Sequence, residues 1–207
     1  MKYVVSVVVL LFSIIVHEVA HGFVAYKRGD STAKLLGRLT LNPIPHIDIL
    51  GSIILPAFLM LVGAPVFGWA KPVPINMYNL KNPKQDMIFV SLAGVTANFL
   101  LAVIAGAIMF LIRAFFADVS VMASIYFILQ YVIVINIVLM LFNLIPIPPL
   151  DGSRVVFFLL PRDLAQKYAR IERYGFLIIL VLLATNILWK IIAPAANFLI
   201  KLLSGAM

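Results

Sequence analysis

The chain has no cysteine in its 207 residues. That excludes disulfides and thiolate ligands, so any metal must be held by His, Asp or Glu. Histidine is scarce, at three copies, and the only glutamates are Glu18 and Glu172. Charged residues make up 12% of the chain, about half of what a soluble domain carries. In their place 64% of the residues are hydrophobic, and mean hydropathy is +1.12. Such a composition reads as an integral membrane protein with little polar sequence to spare for an appended binding module. Acids are also few, and the net charge is +8. In a soluble chain that balance would suggest nucleic acid. Here the basic residues sit in loops between apolar segments, as cytoplasmic loops do, so the expected surroundings are a lipid bilayer and no nucleic acid.

Within the apolar run from Tyr3 to Tyr26 lies His17-Glu18-Val19-Ala20-His21. Histidines four apart on a helix project from one face, one turn above the other. Two zinc ligands need that geometry, and the glutamate between them can reach a metal-bound water. With so few His and Glu, chance would produce this pattern about once in 2,000 such chains. A plainer alternative is a pair of helix histidines satisfied by hydrogen bonds to neighbouring helices. Polar groups at membrane depth are costly, so they need partners and usually mark a site.

The rest of the chain reads as alternating spans and loops. Tyr3–Tyr26 is about 36 Å of helix, long enough to span, and reads as a permanent span rather than a cleaved leader. Lys27, Arg28, Lys34 and Arg38 follow it and place its C-terminal end at the cytoplasm. Residues 29–48 form a loop with Pro43 and Pro45. Its His46 is either a group near the site or, more simply, a loop histidine bonded to Asp48 or to backbone. Residues 49–67 are apolar but broken by Gly51, Pro56, Gly63 and Pro65. Residues 68–80 read as an extended, hairpin-like element at the membrane surface. A span is expected from Met87 to Arg113, and the small residues in its start, Ser91-Leu92-Ala93-Gly94-Val95-Thr96-Ala97-Asn98, admit a close neighbour. Its Asn98 is either a helix–helix hydrogen-bonding group or a catalytic one. Another span runs from Val121 to Phe142. After a basic amphipathic stretch (Arg162, Lys167, Arg170, Arg173), the last span is expected from Tyr174 to Ile192, followed by a tail.

A second signature is Asn143-Leu144-Ile145-Pro146-Ile147-Pro148-Pro149-Leu150-Asp151-Gly152. Its prolines unwind the helix, and irregular backbone at membrane depth survives only inside protein or beside a cavity. Alone, Asp151-Gly152 would read as an ordinary turn. Beside a two-histidine motif in a chain without cysteine, Asp151 is the natural third metal ligand. Asp151 and the histidines must then share one depth, so an even number of crossings separates them. Of the three apolar segments between, 49–67 is the one expected to be re-entrant. The metal site then lies nearer the cytoplasmic face and both termini are extracytoplasmic.

His17-Glu18-x-x-His21 in a membrane helix, followed by Asn143-x-x-Pro146-x-Pro148-x-x-Asp151-Gly152, resembles the site-2 protease family of intramembrane zinc metalloproteases. Leu41-Asn42-Pro43 to Gly51 and Gly68-Trp69-Ala70-Lys71-Pro72-Val73-Pro74 resemble its short prokaryotic branch without PDZ or CBS domains. One departure is Val95, where the family usually has proline after Ala-Gly. The resemblance implies one Zn2+ per chain held by His17, His21 and Asp151, with Glu18 as the base. It also implies Asn143 as the oxyanion-stabilising amide and a transmembrane protein as substrate, in a prokaryotic cell membrane. A non-hydrolytic pseudoprotease or a metal-binding carrier is the alternative, and the intact Glu18 argues against it. The expected architecture is an all-α polytopic membrane protein, a single domain over 1–207. About four full transmembrane helices are joined by the re-entrant segment and the small extended hairpin. A catalytic core covers about 3–160, and an amphipathic segment and last span cover 161–207.

Overall fold

The computed structural model describes residues 2–54, 58, 61, 70–115 and 122–205. It is helical, with no strand among the described residues. Helix α1 (Lys2–Lys27) ends at a turn that Gly29 makes possible, with φ +114°, where an added side chain would press on the Asn79 carbonyl. The short α2 (Thr32–Leu35) and a 3-10 turn (Ile44–His46) carry the chain to a π-helical stretch (Ile49–Ile54). Most of 49–67, and so its expected re-entry, lies outside the described residues, as do Gly68 and Trp69. Residues 70–76 are irregular, and a 3-10 turn (Met77–Asn79) leads into α3 (Pro83–Phe115).

Proline at the first position of α3 costs it no hydrogen bond. Asp86 receives the Asn82 N–H at 2.7 Å and the Arg28 guanidinium at 3.1 Å, which fastens the start of α3 to the end of α1. Helix α4 (Ala123–Asn143) returns antiparallel to α3, and the Tyr126 hydroxyl at its start donates to the Met109 carbonyl near the end of α3. Then come α5 (Asp151–Leu159), α6 (Arg162–Ala169), α7 (Glu172–Ala184) and α8 (Ile187–Ser204).

Among the described residues, four helices are long and apolar enough to cross a membrane: α1 from Val5, α3, α4 and α8. Three match the expected spans. The fourth corrects the expectation of a span over 174–192 with a loose tail behind it. The apolar run is cut at Thr185–Asn186, where Asn186 takes a left-handed conformation with φ 57°. Helix α7, at 13 residues, is about 20 Å long and too short to span. The supposed tail is the second half of α8, with Ala196 wholly buried. Hydropathy averages over such a break, because one asparagine barely lowers it.

Small residues on α3 bring the core together. Ala102 and Ala105 pack with Ile133, Ile137 and Met140 of α4 and Ala196 of α8. At Gly106 a Cβ would sit 2.8 Å from the Leu203 carbonyl of α8, so that approach depends on glycine. The Arg113 guanidinium donates to the Gly205 carbonyl at 3.1 Å, so α8 ends beside the end of α3. Between the two signature motifs, α3 and α4 are the long apolar helices among the described residues, and whether 49–67 adds a crossing lies outside them.

Candidate metal centre

Helix α1 presents Ser13, His17 and His21 on one face, each one turn from the next. The Nε2 atoms of the two histidines lie 3.0 Å apart, with the rings nearly perpendicular. Asp151 meets them from the far end of the sequence. Its Oδ2 is 3.0 Å from His17 Nε2 and 3.3 Å from His21 Nε2, and all three residues are buried.

Three local causes place Asp151 there. Pro146, Pro148 and Pro149 prevent α4 from continuing past Asn143. The irregular 144–150 backbone is fastened from α6, where the Tyr168 hydroxyl donates to the Pro146 carbonyl at 2.8 Å. Gly152 then lets the start of α5 lie directly on the Leu144 and Ile145 carbonyls, which a Cβ would strike. Gly94 does the same for His17, since it leaves the imidazole lying flat on α3. Val95 is buried within a continuous α3, so the departure from the family's proline leaves the helix regular.

The three facing atoms fit a cation. His21 Nδ1 lies 2.6 Å from the Val90 carbonyl, which can only accept, so the ring proton sits on Nδ1 and Nε2 offers a bare lone pair. Asp151 Oδ2 is buried and receives no hydrogen bond from the protein. His17 Nδ1 is engaged by Asn98 Oδ1 at 2.5 Å, which leaves its Nε2 facing the same point. Acceptors driven together in a dry interior repel one another unless a positive charge lies between them. A tetrahedral zinc shell with bonds of about 2.0–2.1 Å spaces its ligand atoms about 3.3 Å apart, close to the separations here. Among the described residues no other His, Asp or Glu joins the group, which leaves coordination open, as hydrolytic zinc sites do.

Glu18 is half-buried, and its Oε2 accepts the Val73 N–H at 2.8 Å. Sequence gave no sign of the parts that hold Val73. The Arg38 guanidinium donates to the Lys71 carbonyl at 2.6 Å and the Pro72 carbonyl at 3.2 Å. The Lys71 N–H donates to the His46 carbonyl at 2.9 Å, and the Asn76 N–H to Asp30 Oδ2 at 2.7 Å. Burial opposes the charge on Asp30, but bonds from the Thr32 hydroxyl, the Asn79 amide and two backbone N–H groups outweigh it and hold the carboxyl below its usual range. In the sequence Arg38 stands out only as one of a basic cluster.

His46 takes the plainer of its two expected roles. Its Nε2 bonds the Thr40 carbonyl at 2.9 Å, and it stands outside the metal-capable group. Asn143 ends α4, and its amide donates to the Leu139 carbonyl one turn back at 3.0 Å, not to the His/His/Asp group. Asn98 does bond across helices, and its partners are His17 and Asn136. Asn136 carries a sequence signal of its own, as an asparagine in the middle of an apolar span. Beside the site a cleft of about 550 Å³ runs between residues 72–77 and the start of α5, with Val73, Ile75, Pro148, Arg154, Phe157 and Tyr168 on its walls.

Residues 5–185 match the sequence model of Peptidase family M50. A Bacillus subtilis (strain 168) protein named "Putative zinc metalloprotease YwhC" is 41% identical over 207 residues, covering 96% of this chain and 90% of the relative. "Putative zinc metalloprotease Rip2" of Mycolicibacterium smegmatis is 31% identical over 175 residues, 84% of this chain and 64% of that protein. Its Mycobacterium tuberculosis (strain H37Rv) namesake is 27% identical over 173 residues, 83% and 63%. No solved structure matches the chain significantly. With four membrane-length helices among the described residues around a buried group of atoms that could hold a metal, the chain belongs to Peptidase family M50, the site-2 protease family, and is a membrane-embedded zinc metalloprotease.

Proposed function

We propose that the protein hydrolyses peptide bonds within transmembrane segments of other membrane proteins. The observation that carries this reading is the meeting of His17 Nε2, His21 Nε2 and Asp151 Oδ2 one residue from a carboxylate, inside a bundle of apolar helices. In this reading His17, His21 and Asp151 hold the zinc. When bound, zinc makes water nucleophilic near neutral pH and polarises the scissile carbonyl. Glu18 takes the proton of the attacking water and returns it to the leaving amine. The Val73 N–H fixes one oxygen of that carboxylate and leaves the other to handle the proton. Asn143 stabilises the developing oxyanion once its amide turns away from the Leu139 carbonyl.

A substrate helix must unwind for its backbone to be reached. The 72–76 segment is suited to receive it as an added strand. Pro72 and Pro74 lack an N–H and Val73 uses its own on Glu18, so Ile75 holds the remaining donor among residues 72–75. Charge supports a cytoplasmic placement of the site. Lys2, Arg113 and Lys201 lie at the helix ends remote from the site, whereas Lys27, Arg28, Lys81 and Lys84 cluster where α1 ends and α3 begins. The extracytoplasmic termini follow from this, and a prokaryotic cell membrane from the bacterial relatives.

The test compares wild type with Glu18→Gln, purified in detergent, for zinc content and for cleavage of a single-span model substrate. Expected are about one zinc in each and a loss of cleavage of about 10²–10⁴-fold in the variant. Equal cleavage by both would remove Glu18 from the chemistry. Zinc in both with cleavage in neither, across several single-span substrates, would favour a pseudoprotease or carrier.

A further inference from the structure

Resting on the reading of His17 as a zinc ligand, we propose that Asn98 and Asn136 are positioning residues that lock His17 in the tautomer able to bind the metal. The two asparagines are wholly buried in apolar helices, and Ser13 nearly so. A bare amide there is costly, so each must be paired. The pairs form one chain across α1, α3 and α4: His17 Nδ1 to Asn98 Oδ1 at 2.5 Å, Asn98 Nδ2 to Asn136 Oδ1 at 2.8 Å, and Asn136 Nδ2 to Ser13 Oγ at 2.9 Å.

Amide orientation is ordinarily ambiguous, because oxygen and nitrogen look alike. Here one backbone group removes the ambiguity. Asn136 Nδ2 also lies 2.9 Å from the Val132 carbonyl, and a carbonyl can only accept. Asn136 must therefore aim its NH₂ at Val132 and its oxygen at Asn98. Asn98 must answer with its own NH₂, which leaves its oxygen facing His17. His17 must then carry its proton on Nδ1, and its Nε2 is a bare lone pair towards Asp151. Turning either amide alone sets two oxygens against each other, and turning both sets the Asn136 oxygen against the Val132 carbonyl. All donors point away from the metal group, so each bond polarises the next and strengthens His17 Nε2 as a ligand. His21 needs no such chain, because the Val90 carbonyl fixes it directly.

The competing explanation is that the amides only fasten three helices together. The full-length protein in detergent separates the two. Zinc affinity by chelator competition and thermal stability of the zinc-free form are measured for wild type, Asn98→Leu, Asn98→Asp and Asn136→Leu. The Co2+ absorption spectrum is recorded for each. The expected result is a 10–100-fold weaker zinc affinity and an altered Co2+ spectrum in Asn98→Leu. Asn136→Leu should show a smaller loss. Asn98→Asp keeps an acceptor for His17, so it should hold zinc almost as wild type does even while it loses stability. If Asn98→Leu fails to fold, Asn136→Leu and Asn98→Asp decide. Asn98→Leu and Asn136→Leu proteins that lose stability yet both keep zinc affinity within about threefold of wild type would overturn the lock and leave only helix fastening. A wild type that binds no zinc would instead overturn the metal reading, and this inference with it.

Discussion

Gly94→Ala tests how little displacement the metal group tolerates. A Cβ at Gly94 would lie 2.5 Å from His17 Cε1 and 2.6 Å from both Nδ1 and Nε2. Nearly equal distances to three ring atoms put the methyl over the face of the ring. Ordinary contact begins at 3.4 Å, so the imidazole must retreat by about 1 Å along its normal. His17 Nε2 is 3.0 Å from Asp151 Oδ2, and Nδ1 is 2.5 Å from Asn98, so that retreat disturbs both ends of the ring at once. Ligand sets of this kind hold to within about 0.5 Å. The expected loss in zinc affinity is about 100-fold, or about 2.7 kcal/mol. The substitution by itself favours α3, because alanine in a helix interior is better than glycine by about 0.5–1 kcal/mol. The two effects fall on different observables. Chelator competition reads the first, and thermal unfolding of the zinc-free protein reads the second. A Gly94→Ala protein that binds zinc like wild type and unfolds at higher temperature would refute the argument, because the ring would have had room.

Gly152→Ala should lose zinc as well, since the new methyl meets the Leu144 and Ile145 carbonyls and backbone cannot rotate aside. Full zinc occupancy in the purified variant would contradict this. Val73→Pro removes one N–H and nothing else from Glu18, so zinc binding should persist while cleavage falls by about tenfold or more, as expected for a bond to a charged group worth about 1.5–3 kcal/mol. An unchanged rate would show that Glu18 is positioned without it. Asp30 has a lowered pKa in the folded protein. Its stabilisation is therefore complete above the unfolded value of 3.8 and is lost as pH falls through the lower folded value. Thermal unfolding followed from about pH 6 to about pH 3 should fall more steeply for wild type than for Asp30→Asn, and parallel curves would count against the role.

Much of this was legible in the sequence, and the reasons are specific. His17, Glu18 and His21 share one helix, so their geometry follows from helical period alone. Asp151 needed two further facts, the absence of cysteine and prolines strong enough to end α4. One depth for both motifs requires an even number of crossings, and the segment that decides it, 49–67, lies mostly outside the described residues. Other parts were closed to this kind of reading. The partner of Glu18 is a backbone N–H, which residue identity does not reveal, and the segment that carries it is held by Arg38, Asp30 and the His46 carbonyl through loop geometry. The break at Asn186 was missed because hydropathy windows are insensitive to a single left-handed residue. Asn136 and Ser13 do carry a signal in the sequence. Ser13 lies four residues before His17 on the same face, and Asn136 is a lone amide in an apolar run.

A chain without cysteine has no disulfide cross-link, yet the proposed convergence of α1 and α5 on one zinc ion would amount to one. Asp151 follows His21 by 130 residues, so with zinc in place a loop longer than half the chain is closed. Closing a loop of that length restricts the unfolded ensemble much as a disulfide would, and metal binding becomes folding free energy. Unlike a disulfide, this closure ignores the redox poise of the compartment and answers to free zinc. Scarcity of the metal would therefore do more than idle the enzyme. It would leave opposed lone pairs without a cation between them at the centre of the bundle and so loosen the fold itself.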